Sequence, residues 1–315
     1  MPPLNRVPAS AARLLPACFA LCLASAAGLS FPAGALAAGP AAPAAPEPQA
    51  KADQGIPAWK PAAGVSGSVR VLVPDLDDPA GFLMQELASA YQKRQPAVKV
   101  VCEAAGAGRE GLSVNVDGRG QGTVVAADAL AVIVNAQNDV PALSTEQIKS
   151  ILAGSDRAAT WATFGAGGAV GGSSPSVVSY GDGASELRWA REAILGGAQV
   201  RSDAARENTW SGVGSRVGRE PAAVGFVRAL QVPASRVRTV RIGSGAAAVA
   251  PDAASVFGGR YPFRRTVAFT TAPKSDPERD FLRFVLSREG QDVVARQRFY
   301  SLDAAAAQAA LAAIR

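Results

Sequence analysis

The stretch Val124–Trp161, VVAADALAVIVNAQNDVPALSTEQIKSILAGSDRAATW, decides the reading of this chain. Its apolar run Ala129–Val134 stops at the polar cluster Asn135–Asp139. An unbroken run of that kind predicts a strand buried on both faces, as in an α/β sheet. A helix follows with its own punctuation. Ser144 and Gln147 form a Ser-x-x-Gln capping box, Ile148, Ile151 and Leu152 supply the apolar stripe, and Gly154 supplies the stop. The strand is read as the one that carries the chain out of one lobe and into a second.

Working outward, the amino-terminal side is segmented. Residues 1–37 carry Arg6 and Arg13 ahead of the apolar Leu14–Ser30, and Ala35-Leu36-Ala37 offers the small residues a signal peptidase reads. A cleavable secretory signal and a periplasmic location are therefore expected. A lipoprotein signal cut before Cys18 or Cys22 ranks second, because most of the apolar stretch follows Cys18, and a retained membrane anchor ranks third. Residues 38–66 are rich in Ala and Pro and predict a disordered linker, with Trp59 as its one large residue able to dock on the folded part.

The folded part opens with a strand at Ser68–Val73, a helix capped by Asp78 with Pro79 at its first position, and a second strand at Val98–Glu103. That β-α-β unit implies a parallel pair with a right-handed crossover. Beyond Trp161 come a strand at Ser176–Tyr180, a helix from Ser185, an apolar strand within Pro221–Leu230 and another within Tyr261–Thr271. The last helices begin at Asp276, behind a Ser275/Glu278 capping box, and run through Gln291–Gln297 and Asp303–Ile314.

Composition excludes whole classes of chemistry. The chain has no histidine, so Ser-His-Asp and Cys-His nucleophile systems and His-containing zinc sites are ruled out. With Cys18 and Cys22 in the leader, Cys102 stands alone, unable to form an internal disulfide, and its apolar strand predicts an inert thiol. No enzyme activity, metal or cofactor is expected. The net charge of +6 falls to +4 once Arg6 and Arg13 leave with the signal, and the basic residues are dispersed, so no nucleic-acid partner is expected. Arg236, Arg238 and Arg241 alternate along a strand and read as a solvated face; Arg264 and Arg265 also read as solvated surface. Gly106-x-Gly108-x-x-Gly111 matches a dinucleotide fingerprint formally, but the segment after it does not read as a helix. Asp75, Asp77 and Asp78 lack the glycine and terminal glutamate of a calcium loop, and helix capping accounts for Asp78.

Taken in order, Ala129–Asn135, Leu143–Trp161, Pro221–Val227 (PAAVGFV), Arg260–Arg265 (RYPFRR) and Phe281–Gln291 (FLRFVLSREGQ) resemble the phosphate-type periplasmic substrate-binding proteins of ABC transporters, over roughly residues 68–302. The resemblance implies a type II, two-lobed α/β fold. Each lobe is a sheet flanked by helices, with two crossover strands as hinge: 67–129 plus 231–315 in lobe 1, and 130–230 in lobe 2. It implies a monomer that binds phosphate or a related small inorganic anion between the lobes and serves an inner-membrane ABC permease. The ligand loops are diverged. The first strand runs into Pro74-Asp75-Leu76-Asp77-Asp78, where the family has a Gly-Ser-Thr turn. The Gly-Ser-Gly-Ala-Gly loop stands as Gly106-Ala107-Gly108-Arg109-Glu110, and the Asp-Gly-Ser-Gly-Thr-Arg element as Asp182 to Arg188. The ligand-facing residues it implies are Gly106, Ala107, Gly108 and Arg109 on one lobe and Asp182, Ser185 and Arg188 on the other. The alternative is an envelope interaction or accessory module that has lost phosphate binding.

Overall fold

The computed structural model describes residues 52–117 and 121–314. The expected signal at 1–37 and the first part of the linker, 38–51, lie outside them. In chain order the elements are β1 (Gly67–Val73), α1 (Pro79–Gln92), β2 (Val98–Ala104), β3 (Leu112–Asp117), β4 (Thr123–Asn135), β5 (Ala142–Leu143), α2 (Thr145–Ala153), β6 (Ser176–Tyr180) and α3 (Ser185–Ala193). They continue with β7 (Ala205–Glu207), α4 (Trp210–Arg219), β8 (Ala223–Arg228), β9 (Val237–Thr239), β10 (Arg241–Ile242), α5 (Ala253–Phe257), β11 (Arg264–Phe269), α6 (Asp276–Leu286), α7 (Arg288–Arg296) and α8 (Ala304–Ala313).

The apolar run that opened the sequence reading is the middle of β4, and β4 is longer than expected because its amino-terminal half is also paired. From Thr123 to Ala129 it runs antiparallel to β11; from Leu130 to Val134 it runs antiparallel to β8. Among the described residues this joins nine strands into one curled sheet in the order β2-β1-β3-β11-β4-β8-β6-β7, with β9 also on β4, while β10 and β5 pair apart from it. The two ends of that sheet carry the parallel pairs, β1 with β2 and β6 with β8, as βαβ connections require.

Two apolar cores lie along the sheet. The first gathers residues from 52 to 126 and from 267 to 314, including Leu83, Leu87 and Tyr91 of α1 and Phe281, Phe284 and Val285 of α6. The second gathers residues from 127 to 263 together with Tyr300, including Trp161, Phe226 and Ile133. Residues 237–263, expected in the first lobe, pack into the second core instead: β9 pairs with β4 and β10 with β5, Val240 between them donates its amide to the Val132 carbonyl at 2.9 Å, and Tyr261 donates to the Leu130 carbonyl at 2.8 Å.

Local signals place the helices. The boxes at Ser144/Gln147 and Ser275/Glu278 both form, and Gly154 ends α2 in the left-handed region at φ 70°. Leu112–Asp117, which follows the glycine-rich Ala104–Gly111, is a strand. Leu112 and Val114 turn inward while β3 bridges β1 and β11.

Two expectations need correction. Residues 52–66, expected as disordered linker, are a packed strap. Ala52 and Ile56 are buried, Asp292 accepts from the Ala52 amide and Glu289 from the Trp59 amide, and the Trp59 ring lies 5.5 Å from Tyr91 and 5.3 Å from Phe284. Two large apolar side chains suffice to anchor a segment whose composition alone reads as unstructured. Of the three arginines in the β9 region, Arg236 is exposed as expected, but the other two are not a solvated face. Arg238 is half-buried and donates to the Asn138 and Val140 carbonyls, while Arg241 donates to the Ala248 carbonyl. Burial lowers the Arg238 pKa from its ordinary value.

Candidate functional site

Between the two cores lies a cleft with a cavity of about 590 Å³. It is lined from the first core by Pro74, Asp75 and Asp78 after β1, Val116 and Asp117 at the end of β3, and Arg264 and Arg265 at the start of β11. From the second core α3 contributes Ser185, Arg188, Trp189, Glu192 and Ala193. The carboxyl end of β1 and the amino end of α1 open into it, the place where open α/β sheets hold ligands.

The local sequence explains each wall. Asp78 caps α1, its Oδ1 accepting from the Ala80 amide at 2.6 Å, and Pro79 has no amide to leave unsatisfied. Gly81 lets α1 pass the Asp75–Leu76 backbone closely: a Cβ there would sit 2.3 Å from the Asp75 carbonyl oxygen. On the other wall, α3 begins without a side-chain cap, and Ser185 stands at its first helical position rather than at the cap, which is Ala184. The Ser185 hydroxyl donates to Glu186 at 3.1 Å, and Arg188, one turn along the helix, reaches across to Asp75 at 3.0 Å.

The floor is a buried charge network. Asp128 on β4 accepts from Arg228 Nε on β8 at 2.8 Å and from Arg265 Nη2 on β11 at 3.4 Å, while its other oxygen accepts from the Ala129 amide. Arg265 also donates to Asp78 at 2.9 Å and lies over the Trp189 ring at 4.0 Å. Arg228 completes its contacts with the Arg298 carbonyl at 2.9 Å and the Phe299 face at 4.3 Å. The expected solvated surface at Arg264 and Arg265 is thereby corrected: both line the cleft, and Arg265 is 8% exposed with its Nε unpartnered.

Of the residues the sequence put forward, Ser185 and Arg188 stand in the cleft. Gly106, Ala107, Gly108 and Arg109 do not line it. Their loop follows β2 at its far edge, and Arg109 is held by Glu103 at 3.0 Å and the Ala104 carbonyl. Asp182 is also outside, exposed and paired with Arg191 at 3.3 Å. The charged and aromatic cleft residues that the sequence did not point to as ligand-facing are Asp75, Asp78, Asp117, Trp189, Glu192, Arg264 and Arg265. A charged residue at 128 within an otherwise apolar strand was the available signal, since a buried carboxylate demands cationic partners. The lining carries four carboxylates against three guanidiniums, with Arg188 matched to Asp75 and Arg265 to Asp78 and Asp128. Cys102 is half-buried, and burial pushes its thiol up to about 11.

No protein-family profile matches the chain. It is 24% identical over 296 residues to the phosphate-binding protein PstS of Pseudomonas aeruginosa, in each of two strains, a match spanning 82% of this chain and 90% of the relative. Among solved structures it superposes on an ABC-type phosphate transport receptor from Vibrio cholerae with a TM-score of 0.60 at 17% identity, covering 75% of this chain and 100% of the other. PstS from Borrelia burgdorferi gives 0.59 at 17% identity, covering 75% and 99%. A possible phosphate binding protein from Planctomyces limnophilus gives 0.58 at 17%, covering 79% and 99%. A curled sheet flanked by helices, two cores sharing β4 and a cleft between them are the fold this chain shares with these phosphate-binding proteins.

Proposed function

We propose that the chain is an exported, non-enzymatic solute-binding protein that holds phosphate or a related small inorganic anion between its two lobes and delivers it to an inner-membrane ABC permease. The observation that carries this reading is the cleft itself. Ser185, the uncapped amino end of α3 and the half-exposed Arg188 face Arg264 and Arg265 across it, on a fold shared with phosphate-binding relatives. An anion there gains helix N-terminal amides, a hydroxyl and guanidinium charge. β4, which runs through both cores, serves as the hinge of closure, with β8 paired beside it as the second crossover strand. The working form is a monomer in the periplasm. Isothermal titration with phosphate, sulfate and molybdate tests the reading: one of them should bind, with Arg188→Ala weakening it at least tenfold, and no heat with any of the three refutes it.

One observation favours a second reading, an envelope interaction module that has lost solute binding: carboxylates of the chain already answer two of the three lining arginines. A stable co-purifying partner, with no ligand-dependent shift in melting temperature, would favour it.

A further inference from the structure

Resting on the reading that an anion binds in this cleft, we propose that Asp75 sets both its affinity and its selectivity, as a tethered carboxylate that occupies Arg188 until a solute displaces it. The ion pair joins the loop after β1 to α3, from one wall of the cleft to the other, with Oδ2 of Asp75 3.0 Å from Nη2 of Arg188. Asp75 is held in place by its own turn, since its Oδ1 accepts from the Asp77 amide at 3.0 Å. Of the two other arginines lining the cleft, Arg265 cannot serve as a substitute. Arg265 is buried, fixed to Asp78 and Asp128 and stacked on Trp189, so breaking its bonds would strand buried charge. Arg188 and Asp75 are 60% and 38% exposed, and a pair so open to water is weak and exchangeable.

Exchangeability and tethering together define what can enter. A tethered group competes at an effective concentration on the order of millimolar. A free monocarboxylate offers Arg188 nothing that Asp75 does not already supply, so at lower concentrations it fails. A dianionic oxyanion brings twice the charge and enough oxygens to engage Arg188, Ser185 and Arg264 together, so it can displace the carboxylate. Its affinity is still reduced, both by competition and by the displaced negative charge nearby. The ligand class that follows is a small dianionic oxyanion, taken with moderate affinity and in preference to carboxylates.

The test is calorimetric titration of the mature full chain and of Asp75→Ser and Asp75→Asn, with inorganic phosphate and with acetate as probes. Serine at 75 preserves the turn, and circular dichroism melts confirm folding. Asp276→Asn removes one exposed carboxylate paired to Arg279 outside the cleft and controls for net charge. The expected result is phosphate binding at least tenfold tighter in both Asp75 variants, acetate binding measurable only in those variants, and phosphate affinity within twofold of the parent in Asp276→Asn. Phosphate bound equally by the parent and by Asp75→Ser overturns the inference and leaves the anion-binding reading standing. Phosphate silence in all four proteins overturns the inference together with the phosphate form of that reading.

Discussion

Asp128→Asn probes the floor of the cleft most directly. Its carboxylate is 1% exposed and is the carboxylate partner of Arg228, which is 4% exposed. With asparagine there, Arg228 loses its counter-charge, and one amide oxygen is left for both it and the Ala129 amide, while Arg265 retains Asp78. Breaking a buried pair by neutralising one partner leaves an uncompensated charge and costs about 3–5 kcal/mol. For a folded unit of this size each kcal/mol shifts the midpoint by about 2–4 °C, so the melting temperature should fall by roughly 6–20 °C. Urea unfolding followed by circular dichroism measures the free energy, and a lower midpoint at unchanged slope assigns the loss to the native state. Removing both charges with Asp128→Leu and Arg228→Met eliminates the stranded cation and should recover at least half of the loss. A loss under about 1 kcal/mol for Asp128→Asn, or a double variant no more stable than the single one, would refute the argument that charge pairing, rather than packing, holds β4, β8 and β11 together at this point.

Two further predictions concern the strap. Trp59→Ala removes a half-buried ring that meets Tyr91 and Phe284 and whose Nε1 donates to Asp280 at 3.3 Å; it should cost about 2 kcal/mol, below the full-burial figure, in the same urea experiment. Glu289 supplies a pH dependence. Burial raises its pKa, but bonds from the Trp59 amide, its own amide and Ser287, together with the Arg288 charge, outweigh that and hold it below the ordinary 4.5. A lowered folded pKa means the contribution is fully present above 4.5 and is lost as pH falls through the folded value. Protection of the Trp59 amide from hydrogen exchange should therefore decline below about pH 4.5, and should decline less in Glu289→Gln.

Most of the backbone plan was legible because its signals are local. The capping boxes of α2 and α6, the Asp78-Pro79 start of α1 and the apolar centre of β4 each depend on residues a few positions apart. The cleft was harder to read because its chemistry is not local. Asp128 meets partners 100 and 137 positions away, and Asp75 meets Arg188 over 113. Arg265 read as surface because the counterparts implied by the resemblance lie outside the phosphate site; only the fold stacks it on Trp189. The Gly106–Arg109 loop shows the converse error. Its glycines match a ligand-loop pattern, but the loop ends at Arg109, which closes back on Glu103 instead of facing α3.

The shared strand β4 also governs the order in which the molecule can assemble. Its partners are late in the chain: β8 near residue 225, β11 near 267, and Tyr300, which exchanges backbone bonds with Ala127 at 2.9 and 3.1 Å. A chain emerging from its amino end makes β1, α1 and β2 early, yet their core stays open until α6 and α7 arrive from beyond residue 275. Such long loops must close before their contacts repay the entropy, which makes folding slow and leaves apolar strand edges exposed during synthesis. The feature that couples the two halves of the cleft in the finished protein thus also delays its folding until nearly the whole chain has been made.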